Sequence, residues 1–201
     1  MQDSTQFSIF SDDEEKVYLR WRTFKDIILK VPVAYLARLR VKADWLSWTG
    51  FLMVLPFIYF FKFNPWIAFI FILLNVLFDA LDGTLARFYG RVTSKGKLMD
   101  IFWDNLSFLV FFMTVFYYGV FSYFWGAVYM GNYIVLLFLV AISSGMKIKV
   151  FPVIRSRLYF FGMLFIFLTS GFNFFDYFLV FFSVYMMITN FFLFQRIKWT
   201  F

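Results

Sequence analysis

Residues 105–146, NLSFLVFFMTVFYYGVFSYFWGAVYMGNYIVLLFLVAISSGM, form a stretch of 42 amino acids without a charged side chain. About 20 apolar residues in a helix cross the hydrocarbon core of a bilayer, so this stretch is long enough for two crossings. Tyrosine, tryptophan and glycine cluster near its middle, at residues 117–125, as is typical of a turn at the membrane surface. The stretch therefore predicts two transmembrane helices joined by a short turn.

The whole chain has the composition of an integral membrane protein. Of its 201 residues, 63% are hydrophobic, 27% are aromatic and only 15% are charged. A water-soluble fold could not bury so much apolar surface, which excludes a cytosolic enzyme or a secreted domain. We predict an all-α integral membrane protein with six transmembrane helices, at residues 44–61, 65–87, 98–121, 124–147, 152–170 and 176–195.

The N-terminal quarter of the chain differs from the rest, because 15 of the 31 charged residues lie in the first 44. Residues 1–15 are predicted to form a flexible acidic tail. In residues 16–43 basic and apolar side chains alternate, which predicts an amphipathic helical segment on the cytoplasmic membrane surface, divided into two helices by Pro32. Residues 44–201 then form the membrane domain.

Nearly all lysine and arginine residues lie on the same side of the membrane in the predicted topology. Eighteen of the 19 precede the first span, lie in the second or fourth connection, or follow the last span, and only Lys62 lies on the opposite side. The positive-inside rule therefore places both termini in the cytoplasm. The net charge of +7 is explained by this topology and by contact with anionic membrane lipids. No nucleic-acid partner is expected, since the chain carries no motif for one.

Acidic residues are rare after Asp44, and four of the five are close in sequence: Asp79, Asp82, Asp100 and Asp104. Spacings of three and four place each pair on one helical face, and the short loop of residues 88–97 brings the two faces together. The chain has no Cys and no His. Carboxylates alone favour hard ions such as Mg2+, Mn2+ or Ca2+, and four of them suit two ions about 4 Å apart, the arrangement used for displacement at phosphorus.

Two other interpretations of these carboxylates need no chemistry at phosphorus. The first is a set of salt bridges to the nearby basic residues, Arg87, Arg91, Lys95 and Lys97. The second is the ion path of a cation channel or transporter. A path is disfavoured because the acids are confined to one membrane edge, and only Asn75 continues the polar character into the spans.

Residues 79–104, DALDGTLARFYGRVTSKGKLMDIFWD, resemble the signature of the CDP-alcohol phosphotransferase family, DxxDGxxAR, eight residues, then GxxxDxxxD. All eight defining residues match with the family spacing: Asp79, Asp82, Gly83, Ala86, Arg87, Gly96, Asp100 and Asp104. Upstream, residues 41–51 are similar to a weaker family segment, with Asp44 in place of its Asn and Ser47 in place of its Thr.

The resemblance implies an enzyme of phospholipid synthesis that moves a substituted phosphate from a CDP-linked donor to an alcohol and releases CMP. It assigns Asp79, Asp82, Asp100 and Asp104 to two Mg2+ or Mn2+ ions, with Asp104 also as the general base. The residues that it implies for the nucleotide and donor are Asp44, Ser47, Gly83, Ala86, Arg87, Thr93 and Gly96. It also implies a homodimer. The positive-inside topology places the predicted site, at the cytoplasmic end of the second span, on the cytoplasmic side.

The donor and acceptor stay open at this point. CDP-diacylglycerol or an ether-lipid analogue is the expected donor, and the acceptor is a polar alcohol such as inositol phosphate or glycerol phosphate. A basic cluster would bind such a phosphate: Lys147, Lys149, Arg155 and Arg157. The positive-inside rule alone also accounts for this cluster. The alternative within the family is a soluble CDP-amino alcohol donor with a lipid acceptor.

Overall fold

The computed structural model describes residues 25–90, 94–146 and 156–199, which are helical apart from short connections and contain no strand. The described residues divide into two compact units, the first ending at Gly119 and the second beginning at Val120. The helices of the first unit are α1 (Lys30–Arg38), α2 (Ala43–Leu52), α3 (Val54–Phe63), α4 (Pro65–Phe88) and α5 (Ser94–Tyr117). Those of the second unit are α6 (Tyr123–Gly145), α7 (Ser156–Ser170) and α8 (Phe175–Lys198).

Five helical segments are long and apolar enough to cross a membrane: Ala43–Phe63, Pro65–Phe88, Met99–Tyr117, Tyr123–Ser143 and Phe175–Lys198. They correspond to five of the six predicted spans and indicate an integral membrane protein. The expected sixth span, residues 152–170, coincides in its described part with α7, which has 15 residues. Because residues 147–155 lie outside the described part of the chain, the six-span count stays a prediction.

The first membrane segment is two helices rather than the single helix that we predicted. Pro56 lacks a backbone N–H, and its ring clashes with the carbonyl of the residue four positions earlier, which is Leu52. The helix α2 ends at this residue. The N–H of Met53 donates instead to the oxygen of Gly50 at 3.1 Å, and α3 begins one residue later. The proline therefore interrupts the helix at Met53 without ending the membrane segment.

Helix α4 begins at a well-defined cap. The Asn64 side chain accepts from the backbone N–H of Trp66 at 3.1 Å and of Ile67 at 3.3 Å, and Pro65 occupies the first helical position. The helix ends shortly before Gly90, whose φ of +64° favours glycine. The predicted turn within residues 117–125 is confirmed, since α5 ends at Tyr117 and α6 begins at Tyr123.

The described part of the predicted surface segment is held against α4. Val33 of α1 is buried with Leu46 of α2 and with Leu81 and Leu85 of α4. The helical turn of residues 25–28 ends before Leu29, so Pro32 lies in the first turn of α1, where its ring is tolerated. On the outward side, the exposed large apolar side chains are Ile27, Ile28, Val31, Tyr35 and Leu39. Residues 16–24 of this segment lie outside the described residues.

In the second unit, α6 and α8 run in the same direction. The N–H of Ser122, just before α6, donates to Asp176 Oδ1 in the first turn of α8 at 2.8 Å. Further along both helices, Asn190 Nδ2 donates to the backbone oxygen of Asn132 at 3.0 Å. These bonds fix the register between the two helices within this unit.

Candidate functional site

Three of the predicted carboxylates lie together in the first unit. Asp79 and Asp82 are on α4, Asp100 is on α5, and one oxygen from each lies within 4.8 Å of the others. The i, i+3 spacing places Asp79 and Asp82 on one face of α4, as the sequence predicts. We call Asp79, Asp82 and Asp100 the carboxylate cup.

Asp82 is the most buried member of the carboxylate cup, with 5% of its surface exposed. The Ser47 hydroxyl, from α2, donates to its Oδ2 atom. Its Oδ1 atom is buried and has no hydrogen-bond partner among the described residues. A buried carboxylate oxygen without a donor is costly unless a positive charge neutralises it. Three hard oxygen ligands in one cluster, one of them from this carboxylate, therefore fit a divalent cation.

Asp104 lines the same pocket as the carboxylate cup, but it does not belong to the group of three oxygens. It follows Asp100 by one helical turn on α5, on the same face. The structure therefore places the fourth predicted carboxylate in the same pocket but outside the group of three oxygens.

A layer of hydrogen bonds lies one helical turn from the carboxylate cup. Asn75 is buried on α4, and its Nδ2 atom donates to the backbone oxygen of Gly50 at 2.9 Å and to Ser107 Oγ at 3.3 Å. One side chain thus joins α4 to both α2 and α5. Gly50 permits this approach, because a Cβ atom added there would lie 3.1 Å from Phe78 Cβ.

The site layer formed by Asn75, Gly50 and Ser107 has no predicted role in the sequence, although all three residues line the pocket. The sequence does contain a signal for this layer, in the spacing of its polar residues. Asn75 precedes Asp79 by four residues and Ser107 follows Asp104 by three, so both continue the acidic helix faces into apolar spans. Polar residues at such positions seldom face lipid.

An aromatic cluster borders the same pocket. The ring centroids of Trp48 and Trp103 are 4.5 Å apart, and those of Phe51 and Trp103 are 4.8 Å apart. Phe51 and Trp103 line the pocket directly, and half of the Trp48 surface is exposed. The pocket therefore combines a carboxylate wall with an aromatic one.

Arg87 makes an ion pair that the sequence does not predict. Its Nη2 and Nε atoms lie 2.5 Å and 3.2 Å from the two carboxylate oxygens of Asp26. The Nη2 atom also donates to Thr84 Oγ1 at 3.0 Å. The salt-bridge alternative is thus wrong for Arg87, since among the described residues this arginine forms its ion pair with Asp26 and not with a motif carboxylate. Asp26 lies 61 residues before Arg87, so no local spacing predicts this pair.

The other predicted site residues are placed as follows. Asp44 is exposed in the first turn of α2, Ala86 and Gly83 are half-buried on α4, and Gly96 is exposed on α5. Arg157 is half-buried at the start of α7, in the second unit. Several predicted residues lie outside the described part of the chain: Thr93, Lys147, Lys149 and Arg155. The proposed basic acceptor site therefore stays a prediction.

The chain matches the family model of CDP-alcohol phosphatidyltransferase over residues 40–194, and it belongs to this family. The family is a family of transferases of substituted phosphate groups, which move a phosphate from a CDP-alcohol to an alcohol acceptor and are generally dependent on divalent metals. No match was found among curated proteins or among solved structures.

Proposed function

We propose that the chain is a phospholipid-synthesising transferase. In this proposal the donor is CDP-diacylglycerol or an ether-lipid analogue, and the acceptor is a polar alcohol such as inositol phosphate or glycerol phosphate. The observation that carries the proposal is the carboxylate cup, whose member Asp82 has a buried Oδ1 atom without a hydrogen-bond partner among the described residues, in a chain of this family.

The carboxylate cup would hold Mg2+ or Mn2+, two ions per site, with Asp104 completing the ligands. When bound, such ions neutralise the diphosphate and stabilise the departing CMP. The other proposed donor contacts are Ser47, Gly83, Ala86, Arg87, Thr93, Gly96 and Asp44. Gly83 supports this assignment because it has no side chain, which leaves space for a ligand next to its backbone on α4. Ser47 supports it because its hydroxyl contacts Asp82 of the carboxylate cup.

Asp104 is the proposed general base. Its position in the pocket, outside the three-oxygen group, suits a carboxylate that accepts a proton from the acceptor hydroxyl. In the reaction, the acceptor oxygen forms a bond to the phosphorus of the donor. The bond from that phosphorus to CMP breaks, and CMP leaves with the electron pair.

The first unit supports a one-sided active site rather than an ion path. Beyond the layer of Asn75, Gly50 and Ser107, the neighbouring core residues on α3 and α5 are fully buried phenylalanines, among them Phe57, Phe108 and Phe111. A transmembrane path for cations needs polar groups or water along its length. In the described residues of this unit, aromatic side chains are packed there instead, with the ring centroids of Phe57 and Phe111 4.7 Å apart.

The proposed topology places both termini and the active site in the cytoplasm. Eighteen of 19 basic residues on one side of the spans support it. We retain residues 1–15 as an acidic tail, residues 16–43 as a surface segment and residues 44–201 as the catalytic membrane domain, with six spans. The exposed apolar side chains of residues 27–39 support contact of that segment with lipid. A homodimer is proposed on the resemblance alone.

Release of CMP by the purified full chain tests the proposed function. The chain in detergent is given Mg2+ or Mn2+, CDP-diacylglycerol, and inositol phosphate, glycerol phosphate, serine or choline in turn. We expect CMP release with CDP-diacylglycerol and one of the phosphorylated acceptors. Release only from a CDP-amino alcohol with diacylglycerol would support the alternative donor, and release from no donor would refute both.

A further inference from the structure

We propose that Asp26 is a positioning residue for the donor site, which it serves by fixing the guanidinium of Arg87. This inference rests on the proposed role of Arg87 at the nucleotide. Asp26 itself lies outside residues 40–194, which match the family. It belongs to the short helical turn of residues 25–28 at the beginning of the described chain.

The contact between the two residues uses one edge of the guanidinium. Asp26 Oδ1 lies 2.5 Å from Nη2 of Arg87, and Asp26 Oδ2 lies 3.2 Å from Nε. Such a two-point contact fixes the plane of the guanidinium as well as its position, which a single-point contact does not. The third nitrogen, Nη1, is on the opposite edge of the same group.

The Nη1 atom of Arg87 is directed toward the glycine of the signature. It lies 3.4 Å from the position that a Cβ atom would occupy on Gly83. Gly83 and Arg87 are four residues apart on α4, so the arginine side chain runs back along the helix to the glycine. Asp26 therefore holds the Nε and Nη2 edge while Nη1 is placed beside Gly83.

Two further contacts keep Asp26 in this place. Thr84, buried on α4, has its Oγ1 atom 3.1 Å from Asp26 Oδ1 and 3.0 Å from Arg87 Nη2, so the pair is tied to the helix surface. A few residues later in the chain, Val33 is buried against Leu81 and Leu85 of the same helix. The surface segment is thus docked on α4 by polar and by apolar contacts.

The side chains of Arg87 and Asp26 are 24% and 34% exposed. An ion pair this accessible contributes little to folding. The ion pair has a larger effect on ligand affinity, because an arginine that is already immobilised loses less side-chain entropy when it binds a phosphate. Ordering one long side chain costs about 0.5 to 1.5 kcal/mol, which corresponds to a factor of about 2 to 12 in affinity.

The test measures the dissociation constant of CDP in the presence of Mg2+ for the full chain and its variants. With Asp26→Asn we expect binding about three- to tenfold weaker. Asp26→Glu keeps both carboxylate oxygens and should stay within about twofold of the parent. Asp176→Asn is the matched control, because Asp176 lies in the second unit and accepts one backbone hydrogen bond that an amide oxygen can also accept.

The role of Arg87 is tested by the same substitution in an Arg87→Gln background. If Asp26 acts through Arg87, then Asp26→Asn has no further effect on CDP binding once the arginine is absent. Equal weakening in both backgrounds, unchanged binding in the single variant, or tighter binding because a competing carboxylate has been removed would each overturn the inference. If Asp26→Asn lowered the thermal stability without changing CDP binding, the contact would have a structural role only, and the inference would be overturned as well.

Failure of the proposed function gives a different result from failure of this inference. CDP is common to all donors of the family, so its affinity does not depend on which lipid or acceptor is correct. A chain that releases no CMP from CDP-diacylglycerol but shows the coupling between Asp26 and Arg87 refutes the proposed donor and supports the positioning role. A chain that releases CMP but binds CDP equally with Asp26→Asn supports the function and refutes the positioning role.

Discussion

Asn75→Ala should weaken the helix contacts next to the carboxylate cup. The substitution removes the hydrogen bonds of 2.9 Å to Gly50 on α2 and 3.3 Å to Ser107 on α5. Hydrogen bonds between membrane helices contribute on average about 0.6 kcal/mol, with a maximum of about 1.7 kcal/mol. For two bonds we expect a loss of about 1 to 3 kcal/mol in the free energy of unfolding, together with a fall of about tenfold in kcat/KM because the ligands are less well placed.

The assay for this variant is SDS-induced unfolding in mixed micelles, followed by CMP release on the same preparation. Asn132→Ala is the matched control, since the Asn132 side chain donates only to Val128 on its own helix at 2.9 Å. The control should change the free energy of unfolding by less than about 0.5 kcal/mol. Equal effects of Asn75→Ala and Asn132→Ala on unfolding would refute the interhelical role of Asn75.

Three further substitutions test individual parts of the site. Ser47→Ala removes the donor to Asp82 and should weaken Mn2+ binding by about three- to tenfold, measured by titration calorimetry; unchanged affinity would contradict the role of this contact. Gly50→Ala forces a Cβ atom to 3.1 Å from its neighbour and should cost about 1 to 3 kcal/mol of stability in SDS unfolding, whereas Gly131→Ala meets no atom within 4 Å and should be neutral or stabilising. Asp104→Asn leaves the three ligands of the carboxylate cup in place, so it should retain CDP binding and Mn2+ binding at the cup but lose at least about a hundredfold in kcat; full activity of this variant would show that Asp104 is not the base.

The acidic part of the site could be predicted from sequence because it depends on short-range helical geometry. Spacings of three and four residues determine which carboxylates share a face, and the short connection between α4 and α5 limits how far apart the two faces can lie. The structure brings Asp79, Asp82 and Asp100 within 4.8 Å, as this reasoning requires. The membrane helices were predictable for a similar reason, since bilayer thickness fixes the length of an apolar span.

The parts that sequence analysis missed depend on contacts between distant segments. Asp26 is 61 residues from Arg87, and the sequence pattern around neither residue predicts a contact with the other. Asn75 was noted only as an isolated polar residue, because its partners are a backbone oxygen on α2 and a hydroxyl on α5. The break at Met53 is different, since Pro56 gave a local signal for it that the prediction of a single span overlooked.

Binding of Mn2+ to the purified chain tests the account most directly, because the carboxylate cup is the basis of the proposed chemistry. The parent chain and its Asp82→Asn and Asp176→Asn variants are titrated with Mn2+ under the same conditions, with binding followed by electron paramagnetic resonance. We predict that the parent and Asp176→Asn bind Mn2+ equally and that Asp82→Asn binds it at least about tenfold more weakly. Equal affinity of the parent and Asp82→Asn for Mn2+ would contradict the account.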